Sequence, residues 1–382
     1  MPATLQELHG VMSDVPPTAS TLSRSVSDYT TPDIENLPQV SPSLSLREGD
    51  KQSTPPSYLG SVLCLIGVLF FSFTQLCAYL ASSRYSASEI TLVRSAIQTV
   101  GATLFALVIG VNPIGPSGLR LMCFIRGFIG ALANLLLLYA VAHMPMADAN
   151  AIFFTNPIFT TVYASLILKQ RVSVLELFAL CIGLVGSLLV ARPTFIFATE
   201  NETVIGDPDP GVLLINIFGA ALAGAVPVIV SFIGSSVHYV CLVFSFGACG
   251  ALESAATLGL GLDTRDAPAA VGSSTMGYVF LVGTGLFGML SQFFYNKSLQ
   301  LEKPQNCAIL FQTNVALTFL WQALVNVDEL SSLSVVGSLL IVCSSSAILG
   351  GRVVTSRSAS SVMSEPKVER IEISITASQL KE

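Results

Sequence analysis

Charge is what this sequence has least of. Only 11% of its 382 residues are Asp, Glu, Lys or Arg, against about a quarter in a soluble domain. That is too little polar surface to face water. The charge is also displaced, because 19 of the 42 charged residues lie in 1–57 and 352–382. A soluble globular enzyme, a coiled coil and a nucleic-acid binder with a basic surface are excluded on that ground. Histidine (three) and tryptophan (one) are scarce. The eight cysteines show no CxxC spacing and no clustering with His, which excludes a disulfide scaffold and leaves them as small buried apolar residues. No metal motif, nucleophile elbow or phosphate loop occurs, so no cofactor and no enzymatic activity are expected. A membrane-embedded acyltransferase would need a His or acid constellation that is missing. The first apolar run starts near Leu59, too late for a signal peptide.

Long apolar runs are what the chain has instead. A bilayer core takes about 20 apolar residues per helix, and ten segments reach that length: 59–80, 89–110, 119–141, 147–168, 174–191, 211–233, 239–260, 276–297, 305–325 and 331–350. Backbone polar groups in lipid must be satisfied within the segment, so these runs are predicted helices. The fold class is an all-α polytopic membrane protein, with the lipid bilayer as its first partner. Residues 1–57 contain 10 Ser, 6 Thr and 8 Pro, a composition that cannot bury enough apolar surface to fold. They read as a disordered cytosolic tail, and 352–382 as a second one. Strings such as Arg24-Ser25-Val26-Ser27 suit both tails to phosphorylation or to cytosolic partners.

Loop charge sets the orientation. With the N-terminus in the cytosol, Arg120, Lys169, Arg171, Lys297, Lys303, Arg352 and Arg357 fall inside, and only Arg84, Arg192 and Arg265 outside. The Lys/Arg excess predicts both termini in the cytosol. Asn201-Glu202-Thr203, a glycosylation acceptor pattern, then lies in the outward loop 193–210, which fits either an endomembrane (ER or Golgi) or the plasma membrane.

The chain also repeats itself. Tyr139 to Asn150 aligns with Tyr295 to Asn306, then Ala151-Ile152-Phe153-Phe154 with Ala308-Ile309-Leu310-Phe311, and Leu92-Val93-Arg94-Ser95 with Leu242-Val243-Phe244-Ser245. Residues 58–192 and 211–351 are therefore expected to be five-helix halves. Five is odd, so the halves enter the membrane in opposite orientation, a 5+5 inverted repeat of the kind that places a transporter's substrate where the halves meet.

Polar residues inside the spans are the candidate chemistry. Arg126, Gly130 and Asn134 fall at i, i+4 and i+8, on one helix face. They read as a wall of a polar cavity, or as a snorkelling Arg beside a packing Gly. Arg94 lies well inside the second span, where a charge costs roughly 2.5–3.5 kcal/mol on insertion scales. It is either an anion anchor or an ion-pair partner of Glu89. Asn150, Thr155 and Asn156 in the fourth span are matched by Asn306, Gln312, Thr313 and Asn314 in the ninth. Such amides either line a cavity or glue helices together. Pro157 and Pro227 interrupt helices and are candidate gating positions. Gly288, Gln292, Tyr295 and Asn296 share one side of the eighth span, and Lys297 follows as a ligand group or a positive-inside residue. Glu253, the one carboxylate well inside a predicted span, is either a coupling site or a charge near a helix end. Small residues (Gly183, Gly186, Gly219, Gly224, Gly337, Ser344) form packing seams, between the halves or between two copies in a homodimer.

Arg126-Gly127 with Tyr139-Ala140, Met146-Ala147-Asp148-Ala149 and Thr155-Asn156-Pro157-Ile158-Phe159 resemble the drug/metabolite transporter superfamily, EamA type, in the manner of solute carrier family 35 group G. Gln170 stands where that family has a Glu before Arg171, and the second half departs further, with Phe244 aligned to Arg94. The resemblance implies alternating access around a central cavity. Together with the arginines it points to a secondary transporter of a small polar, anionic metabolite. The rival expectation is a membrane scaffold that keeps the fold, moves nothing and works through its tails.

Overall fold

The computed structural model describes residues 58–197, 209–261, 275–325 and 331–364, and the candidate glycosylation site Asn201 lies outside them. Among the described residues every regular element is helical. The first half of the sequence supplies α1 (Tyr58–Ala81), α2 (Ala87–Val108), α3 (Arg120–His143), α4 (Met146–Phe153), α5 (Asn156–Ile167), α6 (Val174–Ala191) and the short α7 (Thr194–Phe197). The second supplies α8 (Pro210–Ile233), α9 (Tyr239–Gly259), α10 (Thr275–Leu301), α11 (Pro304–Phe311), α12 (Thr313–Val325) and α13 (Ser332–Ser364). Among the described residues, nine helical stretches are long and apolar enough to cross a membrane. The expected span 147–168 instead divides into α4 and α5 at Phe154–Thr155. The stretch 304–325 is interrupted at Gln312, the residue that aligns with Thr155. The last helix does not stop where the expected tail begins at 352. It continues to Ser364, since Val353 and Val354 prolong the apolar run and Glu302 holds Arg352 in an ion pair.

Local signals start these helices. Ser86 and Glu89 form a capping box on α2, as do Ser173 and Glu176 on α6, each satisfying two otherwise orphaned backbone donors. Asp209 caps α8, and Pro210 occupies its first turn.

The bundle is apolar on its outer surface and buries a set of polar side chains beside its apolar core, where a soluble fold turns its polar groups outward. Leu166, Phe178 and Leu214 are 71%, 65% and 66% exposed, whereas Gln98, Arg126, Asn216, Asn296 and Gln305 are buried to 1% or less. The outward Leu and Phe side chains are at home against acyl chains, and the buried polar groups mark the interior as the place where chemistry happens.

The two halves of the sequence interleave. α1 packs most extensively on α10 and α3 on α8, while α2 meets α9 and α6 meets α13. With no hydrophobic drive between helices in lipid, close backbone approach carries the packing. Gly186 and Gly337 meet across the α6–α13 seam, where a Cβ on either would lie 2.6 Å from the other's carbonyl oxygen. Ser344 Oγ donates to Ala179 O across the same seam at 2.6 Å. The small-residue stripes on these helices are thus used inside one chain.

Valine at either Gly186 or Gly337 is expected to destabilise the solubilised protein by about 1–3 kcal/mol through overpacking. Gly350→Ala, where an added Cβ meets nothing within 4 Å and replaces glycine inside a helix, does not lower the melting temperature. Thermal unfolding of the three variants checks the contrast.

Candidate functional site

A cavity of about 190 Å³ lies between the halves, lined by side chains from α1, α2, α3, α4, α5, α8, α9, α10 and α11. Six expected binding residues face it: Arg94, Arg126, Asn134, Asn156, Gln292 and Tyr295. The stripe on α3 arrives as its spacing predicts, with Arg126, Gly130 and Asn134 all on the cavity wall. Gly130 keeps room for the Phe246 ring, which a Cβ there would meet at 3.1 Å.

Arg126 is the deepest charge in the described bundle, 1% exposed. Nη1 donates to Leu242 O on α9 at 3.2 Å, and Nη2 donates to Gln292 Oε1 and Asn296 Oδ1 on α10, both at 3.0 Å. Its guanidinium carbon lies 5.0 Å from the centre of the Phe246 ring, in cation–π range. Asn296 Nδ2 in turn donates to Gln292 Oε1 at 3.0 Å, so the cage is internally braced. Every partner is neutral, and Nε has none. No described carboxylate forms an ion pair with Arg126. The snorkelling alternative therefore falls, because this side chain reaches across to two other helices instead of along its own towards water.

Arg94 enters from α2 and its stem passes Gly288, where a Cβ would come within 3.5 Å of its Cγ and Cδ. Glu89 is not its ion-pair partner, since that carboxylate accepts from Ser86 N at 2.8 Å in the α2 capping box. Arg94 Nε is buried without a hydrogen bond. On α10, Gly288 beside Arg94 and Gln292 and Asn296 beside Arg126 are separated by about 6–12 Å of helix rise. The two cations thus occupy successive levels of one cavity.

Three expected ligands stay off its wall. Lys297 lies nine residues past Gly288, about 180° round the helix, and sits 5.9 Å from the Tyr239 ring centre instead. There, burial and the Lys297 ammonium together push the His238 imidazole below its ordinary range. Asn150 is on α4, and the break at Phe154–Thr155 resets the helical phase, so it no longer shares a face with Asn156. Asn314 comes just after the corresponding break, and its Oδ1 accepts only a long bond from Thr318 at 3.5 Å. Its neighbour Thr313 bonds Ser345 of α13 at 2.6 Å, so here the amide-rich stretch is interhelical glue. Pro227 lines the cavity with Ala223, whose carbonyl loses its helical donor to the proline. Pro157 sits in the first turn of α5 behind the break.

Sequence reasoning missed one polar group and an aromatic wall. Gln98 lines the cavity one turn along α2 from Arg94, 1% exposed with Nε2 unpartnered. The same i, i+4 spacing that singled out the α3 stripe points to it. Phe71, Phe153, Phe246 and Phe311 complete the lining, with Phe311 5.1 Å from Phe71 and 4.9 Å from Tyr295, centre to centre. Phe244, the counterpart of Arg94, packs in an apolar cluster with Ala102, Ala106 and Val240.

Residues 58–192 match the EamA-like transporter family. Human "Solute carrier family 35 member G1" is 28% identical over 303 residues, covering 77% of this chain and 80% of that protein. The "Pseudopaline exporter CntI" of Pseudomonas aeruginosa is 24% identical over 283 residues, 74% of this chain and 93% of the exporter. A solved crystal structure with 14% sequence identity superposes with a TM-score of 0.62, over 75% of this chain and 95% of its own, which shows a shared fold. Helices and relatives together make this an integral membrane protein whose residues 58–192 match the EamA-like transporter family and whose chain resembles group G of solute carrier family 35, relatives that point to a transporter and not to an enzyme.

Proposed function

We propose that the protein is a secondary transporter of a small polar, anionic metabolite, working by alternating access between two inverted repeats, with both chain ends in the cytosol. The observation that carries the anionic reading is that Arg94 and Arg126 face one buried cavity and neither is ion-paired with a described carboxylate. A buried cation without a carboxylate in direct contact is costly, and an anionic cargo supplies that contact. Asn134, Asn156, Gln98 and Gln292 orient it with neutral donors and acceptors.

The helix pairings support the inverted repeat. Exchanging the halves converts α1–α10 into α8–α3, and maps α2–α9 and α6–α13 onto themselves. The two ends of the bundle are tied in related ways. Where α3 leads into α4, Asp148 accepts from Thr194 Oγ1 at 2.6 Å, and Asn216 of α8 donates to Ala149 O at 2.9 Å. Where α10 leads into α11, Glu302 accepts from Ser61 of α1 at 2.9 Å and from Asn306 at 3.1 Å, and pairs with Arg352. Lys303 adds a bond to Glu176 of α6 at 3.2 Å. Each corner of one half is thus held by the first helix of the other, an arrangement that one half can release while the other stays closed.

Two outcomes are expected. In proteoliposomes given radiolabelled glutamate, succinate, benzoate or glucose 6-phosphate, Arg126→Ala lowers saturable uptake by about 10–100-fold, the worth of a hydrogen bond to a charged group. Lys297→Ala, off the cavity wall, changes it by less than about twofold, and equal rates for wild type and R126A would remove Arg126 from the site. Glu302→Gln loosens the charged corner. On a background retaining only Cys307, which is fully buried, maleimide labelling is expected to rise about 5–30-fold for a loss of 1–2 kcal/mol.

A further inference from the structure

We infer that Glu253 on α9 is a proton-binding site whose carboxylate competes with the transported anion for Arg94 on α2, so that anion and proton cross together. The inference rests on the transporter reading above. Its geometry comes from the α2–α9 contact, where the two halves meet along their length. Thr257 Oγ1 donates to Ser88 Oγ at 3.1 Å. Two to three turns away, a Cβ on Gly250 would stand 2.8 Å from Ser95 Oγ, and one on Gly247 would stand 2.7 Å from Thr99 Oγ1. These three contacts fix an antiparallel register in which Glu253 is level with residues 91–94. Arg94 and Glu253 interact electrostatically at that level without closing into an ion pair. Each retains a buried, unpartnered atom, Nε of the arginine and Oε2 of the glutamate.

The surroundings isolate the pair. From the helices packed on α9, the charged or titratable groups that face this region are Arg94 from α2 and Arg126 from α3. Arg126 is held near Leu242, about 16 Å along the helix from Glu253. α9 itself contributes Cys249, one turn before Glu253, and α10 contributes Tyr295, on the cavity wall, and Lys297, which lies over Tyr239 near the opposite end of α9.

Charge conservation then couples the two ligands. With the cavity empty, the Arg94 guanidinium and the Glu253 carboxylate neutralise one another across the seam. When a carboxylate or phosphate oxygen of the cargo takes Arg94, the glutamate charge loses its compensation, and a proton from the same aqueous side neutralises it. The set Arg94–Glu253 is neutral before loading, and Arg94–anion–protonated Glu253 is neutral after it. Arg126, held by neutral dipoles in its cage, is common to every form, so the forms that reorient at low cost are those in which Arg94 and Glu253 are both compensated: empty and doubly loaded carriers cross and singly loaded ones do not. Because Arg94 and Glu253 belong to different halves, the rocking that alternates access also changes their separation.

The test is uptake into proteoliposomes of the full-length protein, with potassium and valinomycin holding the membrane potential at zero. The probes are radiolabelled glutamate, succinate, benzoate and glucose 6-phosphate, with trapped pyranine reporting lumenal pH. For any of the four that wild type takes up, a one-unit inward proton gradient is expected to raise accumulation about tenfold, with lumenal acidification beyond that of protein-free vesicles. Glu253→Gln brings the ratio of uptake with and without the gradient to about 1, and Glu253→Asp restores a ratio above it. A gradient ratio in E253Q equal to that of wild type, or wild-type uptake indifferent to the gradient, overturns the proton site and leaves the anion reading standing. Failure of wild type to take up any of the four, in vesicles where the protein is monodisperse on extraction, counts against the anion reading and the proton site with it.

Discussion

The caged guanidinium of Arg126 is the constraint on which the rest of the architecture depends. In a bilayer a full positive charge is tolerated only where protein replaces water, and here that replacement takes two helices besides its own. α9 offers the Leu242 carbonyl, α10 offers Gln292 and Asn296, and Phe246 closes over the cation. To hold those groups at 3.0–3.2 Å, helix α3 from one half must lie against α9 and α10 of the other. The cage therefore depends on the interleaving of the halves. Because it is built from dipoles and not from a carboxylate, the positive potential is stabilised without being cancelled, and it stays available to the cavity.

The same inversion of polarity governs packing. Acyl chains are as apolar as the side chains that face them, so exposure of Leu and Phe costs nothing, and helix association falls to backbone approach and interhelical hydrogen bonds. Gly186 against Gly337, and Gly247 and Gly250 against Thr99 and Ser95, bring main chains close enough for small hydroxyls to bridge them. The seams that result are narrow and polar.

Much of this was legible from residue order alone, for a physical reason. In a chain with so little charge, every polar residue inside an apolar run is conspicuous, and helical spacing then assigns it a face. Arg126 with Asn134, and Gln292 with Tyr295, were found that way. A change of helical phase is invisible to spacing. The interruptions at Phe154–Thr155 and at Gln312 rotate each half-helix relative to its neighbour, and Asn150 and Asn314 left the cavity for that reason. Lys297 adjoins Asn296 in sequence, yet the helix turns it to the other side. The aromatic wall was illegible for the opposite reason. With 22 phenylalanines in the chain, most suited to face lipid, nothing in the letters marks Phe71, Phe153, Phe246 and Phe311 as the ones turned inward.

One asymmetry has a consequence for the cargo. Phe244 occupies in the second half the place Arg94 holds in the first, and it is partly buried in an apolar cluster with Ala102, Ala106, Val240, Tyr239 and Phe293. Two matching halves would present a ligand with a pair of equivalent seats, and a bound molecule would be free to sit either way up. With the cations, Arg94 and Arg126, both contributed by the first half, the electrostatic field across the chamber has a single direction, and on the reading proposed above the acidic group of a passenger is drawn to the same wall. Its opposite end is then the part that meets the phenyl rings.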